Sequence, residues 1–194
     1  MHEVDGPPPP DTPRSTLGST APYHNLILAG EMGVGKREVA ARIAAHFNTR
    51  LRDIEAEVEA LAGMPPRALR ELYGEARLTS LETEICRELA LQRSAVIAVS
   101  ASTMIHEANR RRLEENGVVL VLTTALNEIL RRLHAAQGDA FHDLRARATV
   151  LARLKQEWQV RELPGLAHLD TTRLTVAQVA EQAIAFWQAA APEV

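Results

Sequence analysis

Short, continuously apolar runs alternate along this chain with longer stretches in which apolar residues recur every three or four positions. The first run, "HNLILAG" from His24 to Gly30, has the length and composition of a strand buried on both faces, and it stops at a glycine. Over "REVAARIAAHF", Val39, Ile43 and Phe47 then fall on one face of a helix. A second strand is expected at about residues 49–54. It is followed by a helix over "EAEVEALAG" that Gly63 closes, and by another over "MPPRALRELYG" whose prolines suit a first turn. Leu78, Leu81, Ile85 and Leu89 mark a longer helix over residues 75–92, and "SAVIAVS" is the clearest strand. A helix around 107–115, the strand "GVVLVLT" and the helix "LNEILRRLHAA" follow. Residues 137–148, "QGDAFHDLRARA", carry no period and are expected to be irregular, while helices at about 149–162 and 175–190 flank a weak strand near "AHLDTT". Strands alternating with helices predict a parallel α/β sheet with crossover helices, and no internal repeat is visible.

Composition changes this picture at the N-terminus. Residues 1–22 hold six of the ten prolines together with Asp, Ser, Thr and Gly, so they cannot bury enough apolar surface to offset their ordering. They are expected to be a disordered tail ahead of a single domain over 23–194. The net charge of −3 gives no general attraction for a phosphate backbone, and the charge runs "NRRRLEE" and "LRRLHAAQ" fit solvated helix faces. Direct nucleic-acid binding is therefore not expected. The single cysteine, Cys86, excludes an intrachain disulfide and sits in a helical pattern as a small core residue. No apolar run approaches the roughly 18 residues that span a bilayer, and the N-terminus lacks a signal-peptide pattern. A cytoplasmic protein without membrane contact is expected. The seven histidines never fall at metal-ligand spacing with Cys or carboxylates, so zinc is not expected.

The candidate chemistry begins where the first strand ends. "GEMGVGKR", Gly30 to Arg37, fits the phosphate-binding pattern G-x-x-x-x-G-K-[ST] except at its last position. Gly30, Gly33, Val34, Gly35 and Lys36 can present backbone N–H groups and an ammonium to an anion at a helix N-terminus. Arg37 stands where a hydroxyl normally ligates Mg²⁺. Its guanidinium either neutralises bound phosphates, pairs with Asp53, or turns outward beside Glu38. The first two outcomes give a cradle that does not require Mg²⁺.

The P-loop after the first strand, "RDIE" after the second, "GE" opening the long helix, "AVIAVS", "NEILRR" and "LDTTRLTV" follow one another in an order and spacing that resemble the shikimate kinases over about residues 24–188. The resemblance implies a three-layer P-loop kinase fold with a five-stranded parallel sheet and a lid, ATP or ADP as nucleotide, and a small-molecule acceptor. It places Arg132 against an adenine ring and brings Arg173 to the nucleotide side. Arg132 is equally readable as a solvated arginine at a helix end. Lys36 and Asp53 would be the catalytic residues, with Asp53 supporting Mg²⁺ if the metal is bound. Glu55 would hold acceptor hydroxyls.

Other positions depart from the family pattern. Thr79 replaces an arginine that would clamp a carboxylate bidentately. Ser100, Ala101 and Ser102 replace three glycines and carry side chains toward the acceptor. The lid's Arg-Pro is absent, with Asp139, Phe141 and His142 near its place, and a late substrate-binding arginine falls on Glu157. These departures lie on the metal, acceptor and lid positions, whereas the phosphate cradle is kept. The expectation is a catalytically impaired member that binds a nucleotide or other phosphorylated ligand in a sensing or regulatory role, with a possible regulatory protein partner. Acyl-CoA is one ligand candidate, because "AAQGD" is similar to regulators of aromatic-acid degradation that join such a domain to a DNA-binding helix-turn-helix. No helix-turn-helix is present in this sequence. The alternative is an active ATP-dependent small-molecule kinase.

Overall fold

In the computed structural model, which describes residues 20–137 and 144–190, the first apolar run forms β1 (Asn25–Gly30) and the helix after the glycine-rich loop forms α1 (Lys36–Phe47). β2 (Leu51–Asp53), α2 (Ile54–Ala62), α3 (Pro66–Tyr73) and α4 (Glu75–Leu89) come next, and then β3 (Val96–Ala98). Two short helices, α5 (Ala101–Ile105) and α6 (Glu107–Glu114), lead to β4 (Gly117–Thr123) and α7 (Leu126–Gln137). α8 (Leu144–Glu157) continues into a 3₁₀ turn (Trp158–Glu162), and β5 (Ala167–Asp170) and α9 (Val176–Ala189) complete the described order. All strand pairs are parallel, in the order β2-β3-β1-β4-β5, so the expected parallel sheet is present with five strands.

Side-chain alternation on β1 builds the two layers. Ile27 and Ala29 face a core shared with α2, α4, α5 and α6, where Ile54, Leu78, Ile85 and Met104 are buried. Leu26 and Leu28 face the opposite core, where α1 and α9 contribute Val39, Ile43, Val179 and Trp187. Trp187 is fully buried, meets Phe47 edge-on at 5.3 Å and donates its indole N–H to the His24 carbonyl. A third, smaller cluster of Ile129, Leu133 and Leu154 packs against Met32, which seats α7 and α8 on the glycine-rich loop.

Local signals account for most boundaries. Asn48 and Gly63 take left-handed conformations at the ends of α1 and α2, and Asp53 caps α2 by accepting from the Glu55 N–H at 3.0 Å. Thr175 and Gln178 form a reciprocal capping box at the start of α9. Two expectations are corrected. Residues 144–148 are helical rather than irregular, because Leu144 opens α8 five residues earlier than the apolar period indicates. The end of the helix expected over 149–162 tightens into a 3₁₀ turn from Trp158. The stretch after β3 is helical from Ala101, with the Ser100 side chain accepting from the Thr103 N–H. Residues 1–19 of the expected tail, and Asp139, Phe141 and His142, lie outside the described residues. Among the described residues no helix is long and apolar enough to cross a membrane.

A carboxylate interrupts the apolar face of α4. Glu82 on α4 is 5% exposed, and burial pushes its carboxyl up to about 7, with Thr103 and Arg70 offsetting part of that cost and Glu75 and Glu55 adding to it. Its neighbour Cys86 is fully buried, and the same burial pushes the thiol up to about 12, as suits a core residue and not a nucleophile. Because folded Glu82 holds its proton more tightly than unfolded Glu82, its contribution to stability falls as pH rises from about 4.5 to about 7. Glu82→Gln removes that loss. Thermal unfolding should therefore show little gain for this variant near pH 4 and a gain on the order of 3 kcal/mol near pH 8. A pH-independent difference would contradict the assignment.

Candidate functional site

The P-loop is built by a conflict between neighbouring elements. At Gly30 the backbone φ is +144°, and a Cβ there would stand 2.3 Å from the Leu122 carbonyl oxygen on β4. Only glycine permits β1 to turn away so close to its partner strand. Gly35 also has positive φ and precedes the first turn of α1, whose leading N–H groups have no intrahelical acceptor. These donors and the helix dipole face a cleft of about 920 Å³ at the carboxyl ends of the strands.

Lys36 opens α1 and folds back over the loop. Its Nζ donates to the Gly30 and Glu31 carbonyls, both at 2.8 Å, which leaves one N–H of the ammonium for an anion. Burial lowers its pKa, while Glu157, Glu55 and Glu31 pull the other way and Arg153 adds to the lowering. Arg37 does not turn away beside Glu38: its Nε lies 3.0 Å from Asp53 Oδ2, with the arginine side chain 71% exposed and the aspartate 13%. Both Asp53 oxygens are thereby engaged, one by the guanidinium and one by the α2 cap. This donor set does not fit a protein-held Mg²⁺. A cation occupies the P-loop hydroxyl's position, and the remaining carboxylate is paired with it.

Of the residues singled out by sequence, Gly33, Val34, Gly35, Lys36, Arg37, Asp53, Glu55, Ser100, Arg132 and Arg173 line this one cleft. Gly30 sits beneath it and binds Lys36 through its carbonyl. Thr79, Ala101 and Ser102 do not line it. Ala101 is buried, and Ser102 is joined to the cleft only through the Ser100 hydroxyl at 2.8 Å. Arg132 is held on three sides, by Glu128 at 2.7 Å and by the Val34 and Thr171 carbonyls at 3.3 and 3.4 Å, so its plane is fixed between the P-loop and the end of β5. Arg131 and then Arg132 hold the Glu128 carboxyl down to about 2.

Sequence reasoning did not find the residues that support the loop from behind. Glu31 is fully buried and paired with Arg161 of the 3₁₀ turn, whose Nη2 also donates to the Thr124 carbonyl at 2.7 Å and whose guanidinium stacks over Trp158. Glu157 does not act from the acceptor side. It is 2% exposed and accepts from the Met32 N–H at 2.7 Å and from Arg153 Nε at 2.6 Å. The only local trace of this is the i, i+4 spacing of Arg153 and Glu157, which a surface ion pair shares.

The comparisons with known proteins agree with this architecture. The chain is 38% identical over 122 residues to a shikimate kinase of Geobacter sulfurreducens, covering 62% of this chain and 67% of the relative. It is 30% identical over 158 residues to a shikimate kinase of Thiobacillus denitrificans, covering 79% and 84%. Matches to two Xylella fastidiosa shikimate kinases span only 62% of those proteins. In fold, it superposes on a shikimate kinase from Acinetobacter baumannii solved in complex with shikimate, with a TM-score of 0.74, 21% identity, and coverage of 88% of this chain and 96% of that one. A gluconokinase from Sinorhizobium meliloti superposes with a TM-score of 0.60 at 18% identity, covering 89% and 95%. The family model described as shikimate kinase matches residues 32–188, and with the P-loop, the strand order and these relatives it establishes that the chain belongs to the shikimate kinase family.

Proposed function

We propose that this chain binds a nucleoside triphosphate, with ATP the first candidate, and transfers its terminal phosphoryl group to a hydroxyl of a small molecule other than shikimate. The observation that carries the reading is the retained phosphate cradle: Gly33 to Lys36 at the head of α1, facing Glu55 and Ser100 across one cleft in a chain of kinase lineage. Phosphoryl transfer asks the protein mainly for positioning and positive charge around the phosphates. Here Lys36 supplies charge at the loop, Arg37 neutralises Asp53 beside it, and Arg132 offers a fixed guanidinium plane to the base. Glu55 is exposed in the cleft, within electrostatic reach of Lys36, which supports a role in holding an acceptor hydroxyl. The acceptor differs from shikimate because Thr79 cannot form a carboxylate fork, and because Ser100 carries a hydroxyl into a wall where the family pattern has glycine.

One observation favours a second reading, in which a nucleotide, an acyl-CoA or another phosphorylated ligand is bound for sensing and not turned over. The Arg37–Asp53 pair engages the acid that would otherwise support a catalytic metal. A protein held in this way needs its ligand only as a signal, read by a partner protein.

Three measurements test the site, the turnover that separates the readings, and the role of the metal. Lys36→Ala should weaken ATP binding by about tenfold or more in calorimetry, since it removes a charge-assisted contact, and unchanged affinity would place the site elsewhere. A coupled assay of ADP release should show no turnover on shikimate approaching about 1 s⁻¹, and transfer to at least one member of a panel of sugars, polyols and amino alcohols. ATP binding without transfer to any of them, and without hydrolysis, favours the sensing reading. ATP affinity in chelator should stay within about threefold of that in excess Mg²⁺, whereas Arg37→Ser should make binding metal-dependent by restoring an oxygen ligand beside Asp53. A strongly Mg²⁺-dependent parent protein would contradict the role given to Arg37.

A further inference from the structure

The arginines around the cleft are not equivalent. Arg132 has all three guanidinium nitrogens engaged by Glu128, Val34 and Thr171. Arg131 lies in the plane of Glu128, with Nε and Nη2 each 2.7 Å from a carboxylate oxygen. Arg37 is committed to Asp53 and largely exposed, and Arg173 stands exposed before α9. Arg153 differs from all of them in what holds it. Its Nε is bound by Glu157, a carboxylate only 2% exposed whose other oxygen accepts from the P-loop amide of Met32.

An ordinary i, i+4 surface pair leaves both partners solvated and free to reorient. This pair is asymmetric: the acid is buried and fixed to the loop, while the arginine, 28% exposed, lines the cleft. A guanidinium carries five N–H donors in a rigid fork, and the Nε bond leaves its Nη groups as further donors. Arg153 is also close enough to Lys36 to disfavour that ammonium. Two cations brought together across a cleft repel unless an anion lies between them. Glu157 offsets part of that repulsion, being the acid that most favours the charged lysine. The P-loop lysine marks the β- and γ-phosphate end of such a cradle, so a terminal phosphate entering the cleft is the anion that both cations face.

We infer that Arg153, aimed by the buried Glu157, contacts the terminal phosphoryl group of the bound triphosphate. Arg153 is then a catalytic residue and Glu157 a positioning residue. The inference rests on the nucleotide-binding reading above and goes beyond it, since no motif position of the sequence supplies this contact. It also explains an acid at position 157: a carboxylate there turns an arginine one helical turn earlier toward the loop instead of contributing a cation itself.

The test is calorimetric binding of ADP and of the non-hydrolysable triphosphate AMP-PNP to the full chain. Arg153→Met should weaken AMP-PNP by about tenfold and leave ADP within about twofold, the scale of one lost charge-assisted contact. Arg153→Lys should recover part of the loss, because it restores charge without the fork. Glu157→Gln, if it folds, should reproduce the selective loss seen with Arg153→Met while retaining the arginine. Equal weakening of both nucleotides by Arg153→Met, or no weakening of either, overturns the contact. If the parent chain binds neither nucleotide, the nucleotide reading falls and this inference falls with it. If the parent binds both and Arg153→Met has no selective effect, only the inference falls.

Discussion

The P-loop is held from behind by two buried carboxylates, and the geometry of the cleft depends on that hold. Glu31 is tied to Arg161, and Glu157 to the Met32 N–H and Arg153. A buried carboxylate is tolerated only while its partners are present, and breaking such a pair typically costs about 3–5 kcal/mol. The glycines make the loop's conformation possible, but glycine also leaves a chain free to adopt others. The two acids select one conformation and connect it to α8 and the 3₁₀ turn that follows. Movement of α8 therefore reaches the loop through two charge-assisted links as well as through the apolar contact of Leu154 and Met32.

This arrangement explains which parts of the structure were legible in the sequence. β1, β4 and α1 were readable because burial on both faces, or on one helical face, imposes a period on neighbouring residues. The glycine-rich loop was readable because its requirements are local: positive φ at Gly33 and Gly35, and close approach to a strand at Gly30. The juxtaposition of Arg37 and Asp53 followed from topology, since the head of α1 after the P-loop and the carboxyl end of β2 face one crevice. The supports of the loop were not readable. Glu31 and Glu157 are 126 positions apart, and each occupies a helix or loop position where a solvated acid would look the same. The early start of α8 was missed for a related reason. Arg145, Ala146, Arg147 and Ala148 have good helix propensity but no apolar period, so propensity and not burial decides there.

The cleft also divides into two halves carried by different parts of the chain. The phosphate half is built from β1, α1, α7, α8 and the turn between β5 and α9; β1, α1 and α9 carry the Leu26, Leu28 and Trp187 core, while α7 and α8 pack in the smaller cluster of Ile129, Leu133 and Leu154. The opposite wall comes from the ends of β2 and β3, which lead into α2 and α5. The two halves share the sheet, and the Arg37–Asp53 pair joins them. Thr79, Ser100, Ala101 and Ser102 all fall in or behind that second half, and the glycines and lysine of the cradle all fall in the first.

Arg37 lies on the border and couples the halves, which makes it the most consequential of the departures. Its backbone belongs to the cradle, while its side chain reaches Asp53, the residue that caps α2. This link is part of the folded chain, so α2 is tied to the head of α1 before any ligand binds. An incoming phosphate then meets a wall that is already neutralised: the Asp53 charge is cancelled by Arg37 and does not repel the anion. Lys36, Arg132 and the helix dipole remain to attract it, so attraction for the nucleotide comes from groups other than the one that silences the acid.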